Sequence, residues 1–334
     1  MLSMKKNNSP HETSEKYMAQ IPNSIVTIDV EPDNVWGNTH SGSFENIKQL
    51  PYFHRLCVEF GVRPTYLVSW SVANDTASAK IIEKLFAGGE CEIGIHPHLW
   101  ETPPFIGIDA SSKGNVGLDY DVNILEDKIS NLVELIRSRF MDPVSHRAGR
   151  WGIDLRQIKI LRDLGIRVDS SVIPGVDWSS TGILDHSAAP LSPYYVSNTD
   201  MFDIGGSGVL EVPCTLKPGV EIFGLEKNRY IGGLLRRANL GVKWLRASPD
   251  CSSKVLKETS SWAIRQSLPL NLMSHSSEFL PGGSPYWNSA EDVTRHFNLY
   301  RTLFSFWRDL GVKSLTLSEF SSTYRSMMEK EFNG

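Results

Sequence analysis

The chain has 334 residues, a hydrophobic fraction of 40%, a charged fraction of 22% and a formal net charge of −4. These proportions are typical of a globular protein, and the small negative charge argues against a nucleic-acid-binding protein. The sequence contains neither a signal-peptide pattern nor an apolar run long enough to span a membrane. We therefore predict a cytoplasmic protein with a flexible N-terminal tail over residues 1–20.

Short β-branched segments alternate with segments of helical periodicity from about residue 24 onward. The predicted strands are 24–29, 63–70, 90–96, 146–149, 167–172, 208–213, 269–275 and 313–317. The predicted helices are 44–60, 76–87, 121–140, 154–164, 252–266, 290–310 and a C-terminal segment. This alternation favours parallel strands with crossover helices, closed as a barrel or nearly so. We predict a single α/β barrel domain over residues 21–330, with a basic insertion at about 216–250.

A histidine pair, His96 and His98, follows the third predicted strand. Residues i and i+2 of an extended chain point to the same side, so both imidazoles can face one cation. Asp29 and Glu31 have the same spacing after the first strand. A carboxylate with two imidazoles leaves a coordination position open for water, as metal-assisted hydrolysis requires. The alternative interpretation is a pair of ordinary hydrogen-bonded histidines.

Other polar residues follow other predicted strands. Because the carboxyl ends of parallel strands meet at one rim of a barrel, we expect these residues to share a site with the acids and histidines. They are Arg147, Arg150, Asp169 and His275. Tryptophans in the predicted rim loops offer aromatic faces on which sugar rings stack, although packing is an equally good interpretation. They are Trp36, Trp100, Trp151, Trp178 and Trp287.

The segment 226–246 carries six basic residues and one acidic residue, interleaved with apolar residues. A basic amphipathic helix of this composition can contact a membrane surface or a phosphorylated ligand. The alternative interpretation is a solvated helix in an insertion.

The spacing of these residues resembles the NodB-type polysaccharide deacetylases, carbohydrate esterase family four, and especially their WalW-like branch. The similarity extends from about Ser24 to Phe320. Five stretches carry it in order: Thr27-Ile28-Asp29-Val30-Glu31, Glu92–Trp100, His146–Trp151, Val168–Ser171 and Leu272–His275. The arginine motif departs from the family at Gly149, where the family carries proline.

The resemblance implies a distorted (β/α) barrel of seven or eight units and a zinc-like divalent ion, with iron, cobalt, nickel or manganese as alternatives. It assigns Asp29 as general base, Glu31, His96 and His98 as metal ligands, Arg147 as the partner of Asp29, and His275 as general acid. Asp169 and Asp177 are alternatives for the acid that tunes His275. We expect Trp100, Arg150 and Trp151 to contact the substrate.

Two departures from the family concern the metal ligands. A valine separates Asp29 from Glu31 where the family has adjacent aspartates, so either acid is a candidate ligand. The second histidine of the family comes four residues after the first, where Trp100 stands. His98 must then complete the site from a different backbone position, or another residue does. The candidates for that role are Asp33 and His40.

The sequence thus predicts a metal-dependent hydrolase that removes an N-acyl group, expected to be acetyl, from an amino sugar of a polysaccharide or its precursor. For a cytoplasmic protein, a nucleotide-linked or lipid-linked sugar is the preferred substrate. Two alternatives are a catalytically inactive barrel that binds carbohydrate and a hydrolase of a linear amide that is not a sugar.

Overall fold

The structure is a computed structural model that describes residues 22–35, 42–106, 117–219 and 241–332. The tail predicted for residues 1–20, and most of the basic segment 226–246, lie outside the described residues. His40 and Trp36, which the sequence analysis considered, also lie outside them.

The described residues form one main sheet and one small sheet. The main sheet has the strand order β10-β1-β2-β3-β4-β5-β7-β6, with β11 paired to β1, and β8 pairs with β9. The strands are β1 (Asn23–Val30), β2 (Pro64–Val68), β3 (Glu92–Ile95), β4 (Ser145–His146), β5 (Val168–Asp169), β6 (Tyr194–Tyr195), β7 (Leu210–Glu211), β8 (Leu216–Lys217), β9 (Lys243–Trp244), β10 (Leu270–His275) and β11 (Lys313–Ser314). All pairs in the main sheet are parallel except β6 with β7.

Helices connect the parallel strands. They are α1 (Leu50–Glu59), α2 (Trp70–Asn74), α3 (Thr76–Phe86), α4 (Val122–Arg139), α5 (Leu155–Asp163), α6 (Ser253–Arg265), α7 (Ala290–Asp309) and α8 (Leu317–Phe332). A side-chain oxygen accepts a hydrogen bond from the first turn of five of them, which satisfies backbone N–H groups that the helix itself leaves unpaired. These capping residues are Asp75, Asp121, Asp154, Ser252 and Ser289.

The barrel is distorted where β7 and β10 meet. Irregular backbone after β7 hydrogen-bonds to Asn271 of β10 at this position. The amide of Thr215 donates to the carbonyl oxygen of Asn271 at 3.0 Å, and Nδ2 of Asn271 donates to the carbonyl oxygen of Val212 at 2.9 Å. These bonds bring the two ends of the curved sheet together without a strand ladder.

Alternation along the strands separates an inner from an outer face. The inner residues Ile25 and Leu67 pack with Phe320 of α8, which closes the bottom of the barrel. The outer residues Val26 and Ile28 belong to the larger apolar cluster that packs against the helices. The upper part of the inner face, at the carboxyl ends of the strands, is left for polar side chains.

The predicted barrel is confirmed, and apart from β1 the predicted strands are shorter than the sequence indicates. All eight predicted strands are present. The strands β6, β8 and β9 were missed because they lie outside the alternation of parallel strands and helices: β6 pairs antiparallel with β7, and β8 pairs with β9 in a separate sheet. The predicted helix 44–60 divides into a 3-10 turn, Glu45–Gln49, followed by α1. Among the described helices, none combines the length and apolarity that crossing a membrane requires.

Candidate active site

Two acids and two histidines meet at the carboxyl ends of β1 and β3. Asp29 is the penultimate residue of β1 and Glu31 follows its end, while His96 and His98 follow β3. All four side chains are buried. Strand β2 lies between β1 and β3, so residues separated by about 65 positions in sequence are brought together by strand pairing.

Three of these residues form a candidate metal centre. One ligand atom from each of Glu31, His96 and His98 lies within 4.8 Å of the other two. Oε2 of Glu31 is 3.4 Å from Nε2 of His98 and 3.9 Å from Nε2 of His96. The hydroxyl of Ser277 donates to Oε1 of Glu31 at 3.4 Å, which leaves Oε2 directed at the histidines.

The neighbours of each histidine orient its ring. Nδ1 of His96 donates to the carbonyl oxygen of Arg147 at 2.9 Å, so Nε2 carries the lone pair that faces the site. Nδ1 of His98 lies 3.4 Å from Oε1 of Glu101, a residue that the sequence analysis did not identify. The sequence signal that could have identified Glu101 is its position three residues after His98, a candidate ligand.

Burial and charge act differently on the two histidines. Burial lowers the pKa of His96 to about 3, despite the nearby charge of Asp29. Burial also opposes protonation of His98, but the carboxylates of Glu101 and Glu31 outweigh it and raise its pKa to about 9. A cation bound by His98 must therefore displace a proton that these carboxylates stabilise.

Asp29 is held by Arg147 of the arginine motif. Nη1 of the buried Arg147 donates to Oδ1 of Asp29 at 2.8 Å, and its other N–H groups donate to the carbonyl oxygen of Ser170 at 2.7 Å and the hydroxyl of Thr27 at 2.7 Å. Burial alone would raise the pKa of Asp29, but the charges of Arg147, His96 and His275 bring it below the ordinary value. Asp29 is therefore an ionised carboxylate whose second oxygen remains directed at the site.

His275 approaches Asp29 from the end of β10. Its Nε2 lies 3.8 Å from Oδ2 of Asp29, and its Nδ1 lies 3.1 Å from Oε1 of Glu278. Glu278 is fully buried and also accepts from the hydroxyl of Ser274 at 2.9 Å. Burial lowers the pKa of His275, but Glu31 and Glu278 raise it above the usual value. Sequence reasoning missed Glu278, although it stands three residues after a candidate histidine.

Asp169 lies on the opposite face of the sheet from His275. Its Oδ1 accepts from Nδ1 of His146 at 2.7 Å and from the hydroxyl of Ser171 at 2.6 Å. His146 directly precedes Arg147, and successive residues of a strand point to opposite faces, so His146 and Asp169 face outward. The hydrogen-bond partner of His275 is Glu278 instead. The other sequence candidate, Asp177, accepts from the amide of Ser179 at 2.9 Å in an exposed turn.

Asp33, considered as a replacement ligand, has a different position. Its carboxylate accepts from the backbone amides of Glu45 and Asn46, each at 3.0 Å, where the 3-10 turn begins. This is the arrangement of a helix cap.

The acids and histidines line a cleft of about 870 Å³. The predicted substrate-binding residues Trp100, Arg150 and Trp151 all line it. Trp100 stacks on the His98 ring with centroids 4.3 Å apart, and the Arg150 guanidinium lies 4.5 Å from the Trp100 centroid. The cleft also contains aromatic residues that no motif predicted at this position, Trp244 and Tyr286.

One of the predicted rim tryptophans has a packing role. Trp287 lies in the loop after β10, is fully buried and stacks on His296 with ring centroids 4.3 Å apart, which agrees with the packing interpretation. Trp178 does line the cleft, as expected from its loop position.

Comparison with known proteins identifies the fold but not the activity. No family profile matches the sequence, and no curated protein matches it. A Mycobacterium smegmatis protein provisionally described as a polysaccharide deacetylase is 15% identical with a TM-score of 0.53, covering 92% of each chain. A Parabacteroides distasonis protein provisionally described as a glycoside hydrolase/deacetylase is 11% identical with a TM-score of 0.54, covering 92% of this chain and 72% of its own.

A third similar structure has a different activity. The 4-alpha-glucanotransferase of Thermococcus litoralis is 16% identical with a TM-score of 0.53, and the match covers 90% of this chain but 40% of that enzyme. The chain therefore has the distorted barrel fold of the polysaccharide deacetylases, and its reaction must be argued from its site. The assignment to the WalW-like branch stays a prediction.

Proposed function

We propose that the protein is a metal-dependent hydrolase that removes an N-acyl group, expected to be acetyl, from an amino sugar of a glycan or glycan precursor. One observation carries the proposal. The candidate ligands Glu31, His96 and His98 lie in the same cleft as an ionised acid, Asp29, and a second histidine, His275. These are the parts that hydrolysis of an amide requires.

The donor set fits a divalent ion. It consists of one carboxylate oxygen and two imidazole nitrogens. Nδ1 of His96 already donates a hydrogen bond to the carbonyl oxygen of Arg147, which leaves Nε2 for the ion. Such a set suits zinc, and iron, cobalt, nickel and manganese also accept it. A divalent ion bound there would polarise the substrate carbonyl and lower the pKa of a water molecule.

Asp29 is the general base in this proposal. Its Oδ1 is held by Arg147, while Oδ2 lies 3.9 Å from His96 and 3.8 Å from His275, on the side where substrate would enter. Because the charge of Arg147 keeps Asp29 ionised, Oδ2 can take the proton from the attacking water.

His275 is the general acid. Its raised pKa favours the protonated ring, and Nε2 faces the cleft, where the departing nitrogen needs a proton. Glu278 takes the positioning role that the sequence analysis gave to Asp169 or Asp177, because its carboxylate accepts from Nδ1 of His275. The tryptophans of the cleft supply stacking surfaces for a sugar ring.

The test is acetate release from N-acetylated oligosaccharides, combined with elemental analysis of the purified protein. We expect Asp29→Asn to abolish turnover and retain metal, and His96→Ala to lose both. Asp163→Asn, an exposed acid in α5, controls for the loss of charge, and His54→Ala controls for the loss of a histidine outside the cleft. An active Asp29→Asn protein would contradict the assignment of the base.

The same measurements separate the alternatives. Metal-free, inactive protein that still binds sugar would favour the inactive barrel, and turnover only of amides without a sugar would favour the other hydrolase. A cytoplasmic location belongs to this proposal because a glycan precursor is the preferred substrate, and cell fractionation tests it.

A further inference from the structure

Among the described residues of the basic segment 226–246, Arg246 is the charged residue that lines the cleft. It follows β9 and lines the cleft together with Asp29 and His275. Only 13% of its side chain is exposed. Burying a charged guanidinium costs free energy, so the interactions that Arg246 makes indicate its function.

Arg246 uses only part of its hydrogen-bonding capacity. Nη2 donates to Oε1 of Glu278 and lies 3.4 Å from Nδ1 of His275. Nε is buried and has no hydrogen-bond partner among the described residues. A guanidinium with an unpartnered N–H group is incompletely satisfied by the protein, which favours a ligand that supplies further acceptors to it.

Two aromatic rings flank the guanidinium. Its carbon lies 5.0 Å from the ring centroid of Tyr286 and 5.6 Å from that of Trp244, which in turn lies 5.9 Å from the ring of Trp151. The rings restrict the orientation of Arg246 and provide apolar faces beside it. A sugar stacked on these rings would have its substituents within reach of the guanidinium.

The charge around Arg246 is not fully balanced when His275 carries the proton it donates. Oε1 of Glu278 faces both Nη2 of Arg246 and Nδ1 of His275. Two cations then share one carboxylate. Of the other carboxylates near His275, Asp29 is paired with Arg147 and Glu31 belongs to the candidate metal centre. Arg246 therefore has only a share of one carboxylate, and an anionic group in the cleft would complete its pairing.

We propose that Arg246 binds an anionic substituent of the substrate, a carboxylate or phosphate carried by the amino sugar. This inference rests on the proposed function, because it specifies the substrate of the same cleft. Arginine suits the role because its planar fork matches carboxylate and phosphate oxygens, and its charge does not depend on pH.

The test measures binding rather than turnover, on protein freed of metal with a chelator so that a metal ion cannot hold the phosphate. Isothermal titration calorimetry compares N-acetylglucosamine with N-acetylglucosamine 1-phosphate and N-acetylmuramic acid. We expect one of the anionic sugars to bind at least about tenfold more tightly than the neutral sugar. Whichever anionic sugar binds more tightly shows whether the cleft prefers a phosphate or a carboxylate. Equal affinity for all three sugars would overturn the proposal.

Variants test whether Arg246 causes the preference for anionic sugars. Arg246→Gln is expected to remove the discrimination, and Arg246→Lys to retain part of it through charge alone. Lys243→Gln is the matched control, since it removes the same charge three residues earlier, on β9, at a position outside the cleft lining. A preference that persists in Arg246→Gln, or that Lys243→Gln removes equally, would contradict the role of Arg246.

Thermal denaturation shows which variants are folded, because Arg246→Gln removes one of the two cations that Glu278 faces. If that variant does not fold, the wild-type affinities and Arg246→Lys still decide the outcome. Acetate release is measured separately. An anion preference without deacetylation would support Arg246 as a binding residue and contradict the proposed reaction, whereas deacetylation without anion preference would do the reverse.

Discussion

Gly149 and His98 approach so closely that the position of one constrains the other. A Cβ atom on Gly149 would lie 2.8 Å from Cδ2 of His98 and 2.8 Å from the carbonyl oxygen of Pro97. The two departures from the deacetylase pattern, a histidine two residues after His96 and a glycine in place of proline, are therefore in physical contact. Because proline also carries a Cβ, the position of His98 requires glycine at 149.

Gly149→Ala is expected to displace His98 and weaken metal binding by about tenfold or more, at a cost of about 1–3 kcal/mol in the free energy of unfolding. Competition with a chromogenic chelator measures the affinity, and urea denaturation measures the stability. Gly206→Ala is the matched control, because a Cβ there has no neighbour within 4 Å. Unchanged metal affinity in Gly149→Ala would show that His98 is not a ligand or that the loop moves freely.

Lys128 holds the loop that carries Trp100 and Glu101. Its buried Nζ donates to the carbonyl oxygens of Leu99 at 2.9 Å, Thr102 at 2.7 Å and Pro104 at 2.7 Å. Lys128→Met retains the length of the side chain but leaves these carbonyls without their donor. We expect a loss of about 1–3 kcal/mol in the free energy of unfolding.

Hydrogen exchange should report where that loss occurs. Faster exchange at the backbone amide of Thr102, with unchanged exchange in β1, is the expected result for Lys128→Met. Lys80→Met, an exposed lysine of α3, controls for the change in charge. Equal effects of the two substitutions would argue against the role of Lys128.

Glu278→Gln tests the positioning of the general acid. Glu278 raises the pKa of His275, so its neutral replacement should lower that pKa. The protonated acid would then be lost at lower pH, and the alkaline limb of the pH profile of kcat/KM should move to lower pH. Glu278→Asp is expected to restore part of the shift.

Asp169→Asn separates Glu278 from the residue that the sequence suggested. Because Asp169 lies behind the sheet against His146, this substitution should lower stability without moving the alkaline limb. If the alkaline limb of the pH profile moved in Asp169→Asn and did not move in Glu278→Gln, Asp169 would be the residue that tunes His275.

Glu211 should make stability depend on pH. It is fully buried, and its pKa is raised well above 4.5 by burial and by the charge of Asp169. The folded protein therefore keeps a proton that the unfolded chain releases above pH 4.5. The contribution of this group to stability is complete below that pH and is lost as the pH rises toward the folded pKa.

Glu211→Gln should abolish this loss, since glutamine keeps the hydrogen bond from the amide of Val172 and cannot ionise. We expect the variant to be more stable than the wild type near pH 8 and to have no advantage near pH 4. Urea denaturation across this range, with the exposed Glu83→Gln as control, measures the difference. A constant difference at all pH values would contradict a titrating Glu211.

The barrel and the first members of its site were predictable because they depend on local periodicity. Apolar alternation locates the strand ends, and the i, i+2 spacing places Asp29 with Glu31 and His96 with His98 on the inner face. The proximity of the two pairs follows from the parallel topology, which places the carboxyl ends of the strands at one rim of the barrel. The sequence was a poorer guide to β6, β8 and β9, since these antiparallel strands do not belong to the repeated alternation of strand and helix.

Only the tertiary structure decided which acid meets which base. In a strand of two residues, a shift of one position exchanges the inner and outer faces, so sequence could not tell whether Asp169 pointed at His275 or away from it. Glu278, Glu101 and Arg246 act from turns and irregular segments, whose side-chain directions follow from long-range packing. The sequence by itself therefore determined the strand ends at which the polar residues of the site lie, and the tertiary structure determined the partner of each of these residues.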